Sequence, residues 1–587
     1  MTRPSPQDPQ DPQDPGDPRR SLLIFILLLL TVNLFIFLPS MSGDFLWDDK
    51  YFISENSNLL GARFLLDFWR SPFGGFSGTD DNSIRIDRGR QFYRPLTSLS
   101  YWLDFKLWGL NPAAFHLTNI LLQGINSVLL LFILLWLRLG SVPSFAGAIL
   151  FSVFPPHFEN VAWISGRTDL LSFLLAALSA LSFAAFLKKK RRAWLIVSAV
   201  FFLGGLLAKE NVFLLPCLFL MVLWRRGTKA KDMLAVSYPF VVGAALWFFL
   251  RAMAFGPGAP ALSGRSLLDF FSTVGFYSAR LVIPFGLTVT VDSAPVFANP
   301  GYIALGVLIT ALFMVSLILV LDRKRRIAGV PLLLSATILF MLPSIAVIFS
   351  SLTLSLIAWR FLYLPSAVFV AGLAHFTFRS VRPRAVACTL LGILAIAYAV
   401  ETYPKNGLFG RDETGFWLGI KGVEREDLIA RFNVAIKTLP QDEKKALQIF
   451  DRILAAKTHP LYPMWQARIY EELAIYYAFQ RDFAKAEYYF GELSKRPGGQ
   501  SLHSTFNYSY YLAFAGKRVE GESIVLDLVG RYPQNHFVLT RAAKFYLIVK
   551  DYPRAADLYA RDFRLFRNEQ TKKLLEELQP LLPRIDQ

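Results

Sequence analysis

The sequence predicts an all-α protein in two parts, a polytopic transmembrane helical bundle of about eleven spans and, after it, a soluble tetratricopeptide-repeat α-solenoid. Three observations carry this. Of the 587 residues, 54% are hydrophobic, against about 45 to 50% in soluble chains. Apolar runs long enough for a hydrocarbon core of about 30 Å recur between short basic clusters. Past residue 421 the chain turns polar, and small residues return at Ala486, Gly521 and Ala555, 35 and 34 positions apart. That is the period of stacked helix pairs, with the small residue where two helices cross closely.

Charge and cysteine content narrow the class. A net charge of +18 suggests nucleic acid in a soluble chain, but here the basic residues sit between apolar runs, as orientation signals do, and no nucleic-acid-binding motif accompanies them. No nucleic-acid partner is expected. The two cysteines, Cys217 and Cys388, lie inside apolar segments, so a disulfide framework and a thiolate metal site are both excluded.

Residues 1–18 repeat Asp-Pro and Gln with almost no apolar content, and are expected to be a disordered cytoplasmic tail. Arg19-Arg20 then precede the run Ser21 to Leu38. It exceeds a signal-peptide core, and no small-residue cleavage site precedes Gly43, so it reads as a retained helix with its N-terminus in the cytoplasm. Ten further spans are expected at about 115–137, 144–156, 169–187, 193–207, 211–224, 233–250, 301–321, 330–349, 361–378 and 385–400. With these alternating, the clusters Arg19-Arg20, Lys188 to Arg192, Arg225 to Lys231, Arg323 to Arg326 and Arg379 to Arg384 fall on one side. The opposite, extracytoplasmic side then receives the large first loop 40–114, the turn Pro155 to Thr168, the Lys209-Glu210 turn and the C-terminal part. The segment 251–300 has an apolar run broken by Arg280, Pro284 and Gly286, which suits an interfacial or re-entrant helix. The expected boundaries are a membrane domain 19–400, a linker 401–420 and a repeat domain 421–587, with a degenerate repeat around Ala446.

The chemistry lies in the extracytoplasmic turns. They bring Asp48, Asp49, Arg94, His157, Glu159, Arg167, Asp169, Lys209 and Glu210 to one face, and ionisable groups at a bundle edge are costly unless paired or functional. Such a mixed site suits a reaction in which an acid takes a proton from an acceptor while Arg or Lys stabilises a leaving phosphate. Structural roles compete. The aspartates can cap a helix, Glu159 can bridge to Arg167, Lys209 can pair with Glu210, and Arg360 can snorkel; His116 and Asn119 read as packing.

Six phrases, in order, resemble a known family: Phe45-Leu46-Trp47-Asp48-Asp49, Tyr93-Arg94-Pro95-Leu96-Thr97, Gly109 to Asn119, His157 to Asp169, Ala208-Lys209-Glu210, and Arg360 to Ser366. Together they are similar to the transmembrane and tetratricopeptide-repeat-containing O-mannosyltransferases and their bacterial relatives, which are type C glycosyltransferases. The resemblance implies transfer of a mannose-like hexose, with inversion, from a polyprenyl-phosphate-linked donor to a hydroxyl of a protein or glycan acceptor on the extracytoplasmic side. By analogy, Asp48 or Asp49 is the general base, and the sequence leaves that choice open. Arg94, Arg167, Lys209 and Arg360 are candidates for the donor phosphate, and His157, Glu159, Asp169 and Glu210 for positioning the substrates. No metal and no cofactor are expected. The repeats imply a groove for an acceptor or a protein partner, and membrane lipid surrounds the rest. Two positions depart from the family, Phe154 where it usually carries His and Trp359 where it carries an acid; they bear on the sugar and donor lipid rather than the reaction type. The competing classes are a non-catalytic scaffold whose repeats bind envelope proteins, and a transporter, whose charges belong at the bilayer midplane. Compact size and few repeats favour a bacterial inner membrane over endoplasmic reticulum.

Overall fold

The computed structural model describes residues 18–54, 56, 59, 64–69, 92–255, 265–322, 329–349, 356–455, 462–496, 499–566 and 569–581. Residues 1–17 of the expected tail, the cluster Arg323 to Arg326 and residues 70–91 of the first loop lie outside the described residues. Among those described, every regular element is a helix.

Eight helices are long and apolar enough to cross a membrane, which makes the chain a multi-pass integral membrane protein. They are α1 (Pro18–Phe37), α3 (Pro112–Trp136), α5 (Arg167–Lys189), α8 (Ala230–Phe255), α10 (Pro300–Leu321), α11 (Gly329–Ile345), α12 (Tyr363–Ser380) and α13 (Arg384–Phe409). Between them run α2 (Pro95–Trp108), α4 (Ser141–Ser152), α6 (Arg192–Ala208), α7 (Leu215–Arg225) and α9 (Leu267–Val282). The spans expected at 144–156, 193–207 and 211–224 correspond to α4, α6 and α7, of 12, 17 and 11 residues. At about 1.5 Å per residue, α4 and α7 reach less than two-thirds of the hydrocarbon thickness. Their length is cut by local chemistry: α4 stops at the Pro155-Pro156 turn, and α7 starts only at Leu215-Pro216. The last apolar helix, in contrast, continues past 400 to Phe409.

Helix α9 buries Ser272 to Tyr277 and exposes Leu267, Leu268 and Val282. It lies so close to α10 that a Cβ on Gly275 would sit 1.9 Å from the Tyr302 carbonyl oxygen. No residue but glycine fits there.

The C-terminal part opens with α14 (Glu413–Leu418), α15 (Leu428–Thr438) and α16 (Glu443–Ala455). It continues as α17 (Tyr462–Phe479), α18 (Phe483–Ser494), α19 (Leu502–Phe514), α20 (Arg518–Arg531), α21 (His536–Ile548), α22 (Tyr552–Phe566) and α23 (Glu569–Leu578). Successive helices pack in pairs, and the fourth residue of α16, α18, α20 and α22 is Ala446, Ala486, Gly521 and Ala555. All four are buried. A larger side chain at any of these crossings would hold the paired helices apart, and at Gly521 even a Cβ would sit 2.8 Å from the Ser509 carbonyl oxygen.

These helices dock on the membrane bundle through polar contacts that fix their position. Glu426, 2% exposed, accepts hydrogen bonds from the backbone N–H of Val289 (3.0 Å) and Thr290 (2.7 Å). Lys50 pairs with Glu413 at 2.6 Å, and Arg431 with Asp292 at 3.3 Å. The start of the acidic loop is held likewise: Ser42 Oγ donates to the Gly410 carbonyl at 2.7 Å, and a Cβ on Gly43 would sit 1.9 Å from the Phe409 oxygen. The loop after the first span is thus tied to the end of the last.

Candidate active site

Trp47 sets the geometry of the acidic loop. Its φ of 48° lies in the left-handed region, costly for a bulky residue. The surrounding rings hold it there, with centroids of Trp163, Phe409, Phe416 and Trp417 at 5.4, 5.9, 5.3 and 5.5 Å. The two aspartates that follow diverge. Asp49 is 1% exposed and turned into the protein: one carboxylate oxygen accepts from the Leu46 N–H at 3.0 Å, the other from the Ser165 N–H at 2.8 Å and from the Ser165 hydroxyl. Burial pushes the Asp49 carboxyl up to about 7 against these hydrogen bonds, and neighbouring Asp48 adds to the rise. Asp48, half-buried, faces a cavity of about 360 Å³.

Arg94, Lys209 and Arg360 line the same cavity, each held by a carboxylate. Arg94 makes a two-pronged contact with Glu210 at 2.7 and 3.3 Å. Lys209 Nζ lies 2.6 and 2.7 Å from the Asp169 oxygens, with Asn211 donating to the same carboxylate at 3.0 Å. Glu159 accepts from both the guanidinium and the backbone N–H of Arg360, the latter at 2.9 Å. The pairings differ from those open in the sequence: Glu159 holds Arg360 rather than Arg167, and Lys209 and Glu210 each have a partner on another segment. Burial pushes the Lys209 ammonium down, Asp169 opposes this, and Arg94 and Arg360 add to the fall. Burial alone would raise the Glu210 carboxyl, but the Arg94 guanidinium holds it down at about 2. The three cations therefore share one field.

Four of the sequence candidates lie behind this wall rather than on it. Besides Asp49 and Asp169, these are Arg167 and His157. Arg167 is 0% exposed, paired with Asp104 at 2.6 Å, and donates to Asn119 Oδ1 (2.7 Å) and the Phe115 carbonyl (2.8 Å). His157 is 0% exposed; its Nε2 meets Ser366 Oγ at 2.9 Å and its Nδ1 the Gln123 amide at 3.3 Å. Burial pushes its imidazole down to about 3, so it is neutral.

The turn carrying Glu159, Ser165 and Arg167 is irregular backbone at the edge of an apolar bundle, where its carbonyls need donors. Helix α3 supplies them. Asn119, spaced by four and then three residues from Gln123 and Asn126, donates to Trp163 and Ile164 (both 3.1 Å), while Gln123 donates to Ser152 (3.3 Å) and Asn126 to Leu170 (2.9 Å). The periodicity of three amides in an apolar run is the signal for this ladder, and of the three the sequence reading singles out only Asn119, as packing. Asp104, the partner of Arg167, carries no such signal. Nor do Trp417, Phe432, Trp465 and Arg468, which line the cavity from the C-terminal part.

Asp48 and Asp49 do not converge on one point, and among the described residues no three His, Cys, Asp or Glu side chains cluster as a metal site. What the arrangement offers is a half-buried carboxylate and three cations lining one cavity.

No protein-family model matches the chain. Among curated proteins it is similar to protein O-mannosyl-transferase Tmtc1 of Drosophila melanogaster, 31% identical over 251 residues, covering 42% of this chain and 27% of that protein. It is likewise similar to mouse TMTC4 (31% over 202 residues; 31% and 26% covered) and human TMTC3 (34% over 145 residues; 24% and 14% covered). The chain thus spans about a quarter or less of these relatives' length. Among solved structures it aligns with ArnT from Cupriavidus metallidurans bound to undecaprenyl phosphate, at 15% identity, 88% of this chain and 81% of that one, with a TM-score of 0.37.

Proposed function

We propose that the chain is an integral membrane glycosyltransferase that moves a mannose-like hexose from a polyprenyl-phosphate donor to an acceptor hydroxyl. The observation that carries this reading is that Asp48 faces one cavity of about 360 Å³ together with Arg94, Lys209 and Arg360. The similarity to O-mannosyl-transferases supports the sugar and the hydroxyl acceptor.

In this reading Asp48 takes the proton of the acceptor hydroxyl as its oxygen attacks the anomeric carbon. The bond from that carbon to the donor phosphate oxygen breaks, and the phosphate leaves with the electron pair. Arg94, Lys209 and Arg360 meet the growing negative charge, with Glu210, the most exposed of their three partners, giving way to the phosphate. One displacement inverts the anomeric centre. Glu159 and Asp169 act by holding Arg360 and Lys209; Asp49 acts by holding Ser165 and its own loop. Arg167 and His157 brace the turn rather than touch substrate.

The basic clusters favour an orientation with the N-terminus in the cytoplasm and the cavity and repeat helices outside it; the membrane is taken to be a bacterial inner membrane. The C-terminal helix pairs are read as tetratricopeptide repeats that bring the acceptor to the cavity. The test is to supply the purified protein in lipid with radiolabelled polyprenyl-phosphate mannose and an extract of extracytoplasmic proteins. Labelled product with the anomeric configuration opposite to the donor's is expected; retained configuration or no product overturns the reading.

A further inference from the structure

A second cavity, of about 250 Å³, lies at the Pro300 end of span α10, lined among others by Phe276 and Arg280 of α9 and by Asn299, Tyr302, Trp359 and Arg425. Of its lining residues only Val291 also lines the cavity of Asp48; Trp359 belongs to this cavity and Arg360 to the other. Asn299 caps α10, whose 22 residues, at about 1.5 Å each, match the hydrocarbon core, so the cavity sits where a span meets the headgroups. Helix α9 carries exposed Leu267, Leu268 and Val282, as a lipid-facing helix does. Two arginines are gathered here by one turn. Arg280 donates to the Phe285 carbonyl at 3.0 Å and Arg425 to the Gly286 carbonyl at 3.3 Å. Neither pairs with a carboxylate among the described residues, and each has N–H donors left over. Asp292, the acid in the lining, is already engaged, one oxygen accepting from the Ala294 N–H at 3.0 Å and the other from Arg431 at 3.3 Å. Guanidiniums brought together without a counter-charge repel each other, and an anion between them reverses the sign.

We propose that this second cavity is a phosphate-binding site, separate from the cavity of Asp48, in which Arg280 and Arg425 hold the phosphate of an anionic lipid headgroup or of a free phosphate ester. The planar fork of a guanidinium matches phosphate oxygens, and bonds between the two charged groups are among the strong ones. At about 250 Å³ the cavity is smaller than the roughly 300 Å³ at which pockets for drug-sized molecules begin, so it holds a headgroup and leaves any acyl chain outside. Basic pockets beside membrane helices take anionic headgroups in this way. The position also makes the site a tie between the two parts of the chain. Arg280 belongs to α9, whereas Arg425 precedes α15 and adjoins Glu426, which already grips the N–H groups of Val289 and Thr290. A phosphate on both arginines adds a further bridge between the membrane bundle and the C-terminal helices. The site needs no sugar transfer, and it stands or falls apart from the transferase reading.

The experiment follows the melting temperature of the full chain, in a neutral detergent and phosphate-free buffer, as three probes are titrated: short-chain phosphatidylglycerol, glycerol 3-phosphate, and a short-chain diacylglycerol that lacks the phosphate. A ligand of the folded state raises the melting temperature with concentration, which yields its Kd. Phosphatidylglycerol is expected to raise it and the diacylglycerol to leave it unchanged. A rise with phosphatidylglycerol alone names the lipid headgroup as the ligand, and an equal rise with glycerol 3-phosphate names the free ester; either upholds the site. Arg280→Gln and Arg425→Gln are each expected to raise the Kd about tenfold, the loss of one charge-assisted contact. Arg360→Gln, in the other cavity, is expected to leave it unchanged. Arg425 is exposed, so Arg425→Gln carries the test if Arg280→Gln does not fold. No rise with either phosphate probe overturns the proposal, as does an equal rise with the diacylglycerol. A Kd that moves in Arg360→Gln and not in Arg425→Gln assigns the binding to the first cavity and overturns it too.

Discussion

Asp49 is bound through both the backbone N–H and the hydroxyl of Ser165, which lies 116 positions further along the chain, and this contact leaves Asp48 as the aspartate that faces the cavity. Adjacent acids with the same chemistry thereby take different work.

The division gives opposite signatures on substitution. Asp48→Asn removes a general base and is expected to lower the transfer rate by about 10² to 10⁴ with the melting temperature unchanged. Asp49→Asn loses one accepting oxygen at Ser165 or Leu46 and is expected to lower the melting temperature. Rate and thermal melt, measured on the same preparations, separate the two.

The raised carboxyl of Asp49 has a pH consequence. Its folded pKa of about 7 exceeds the ordinary 3.8, so its contribution to stability is fully present below about 4 and is lost as pH rises through 7. His157, lowered to about 3, acts in the opposite sense, its contribution being present above about 6.5 and lost as pH falls. The difference in melting temperature between wild type and Asp49→Asn isolates the first term. It is expected to shrink between pH 4 and 7, and a flat difference would contradict the buried carboxyl.

Arg167 and Asp104 form a buried pair behind the cavity wall. Removing one partner of such a pair typically costs about 3–5 kcal/mol, because a charge is left alone in a dry site. Arg167→Gln is therefore expected to lower abundance and melting temperature sharply. If the folded fraction survives, its donor KM should match wild type, whereas a phosphate-binding arginine would raise it.

Glu159 is joined to Arg360 by two contacts, through the guanidinium and through the backbone N–H. Arg360→Gln is expected to raise the donor KM about 10- to 100-fold, and Glu159→Gln by less. The double variant should fall short of the product of the two effects, because the residues act as a unit. Independent, multiplicative effects would separate them.

How much was legible in the sequence follows from the range of each interaction. Long apolar runs such as Pro300–Leu321 announce themselves, because a span needs only length and hydropathy. The shortness of α4 and α7, at 12 and 11 residues, is not visible in hydropathy, which does not reveal that prolines bound them. The polar turns could be recognised as phrases, and so could the small residues at repeat crossings. Their pairings could not: Arg94 meets Glu210 across 116 positions, and Arg360 meets Glu159 across 201. Which aspartate faces the cavity depends on a left-handed tryptophan and a distant serine, neither of which leaves a local pattern. The lining of the cavity by Trp417, Phe432, Trp465 and Arg468 is hidden for the same reason, since a chain read as two domains gives no sign that helices of the second reach this cavity.

The most direct test of the central claim is the rate of sugar transfer from radiolabelled polyprenyl-phosphate mannose by wild type, Asp48→Asn and Asp49→Asn, reconstituted in lipid and matched for folded protein. Loss of transfer in Asp48→Asn, with residual transfer in Asp49→Asn in proportion to its folded fraction, is the expected result. Full activity in Asp48→Asn would contradict the assignment of the base and, with it, the reading of the cavity as a transferase site.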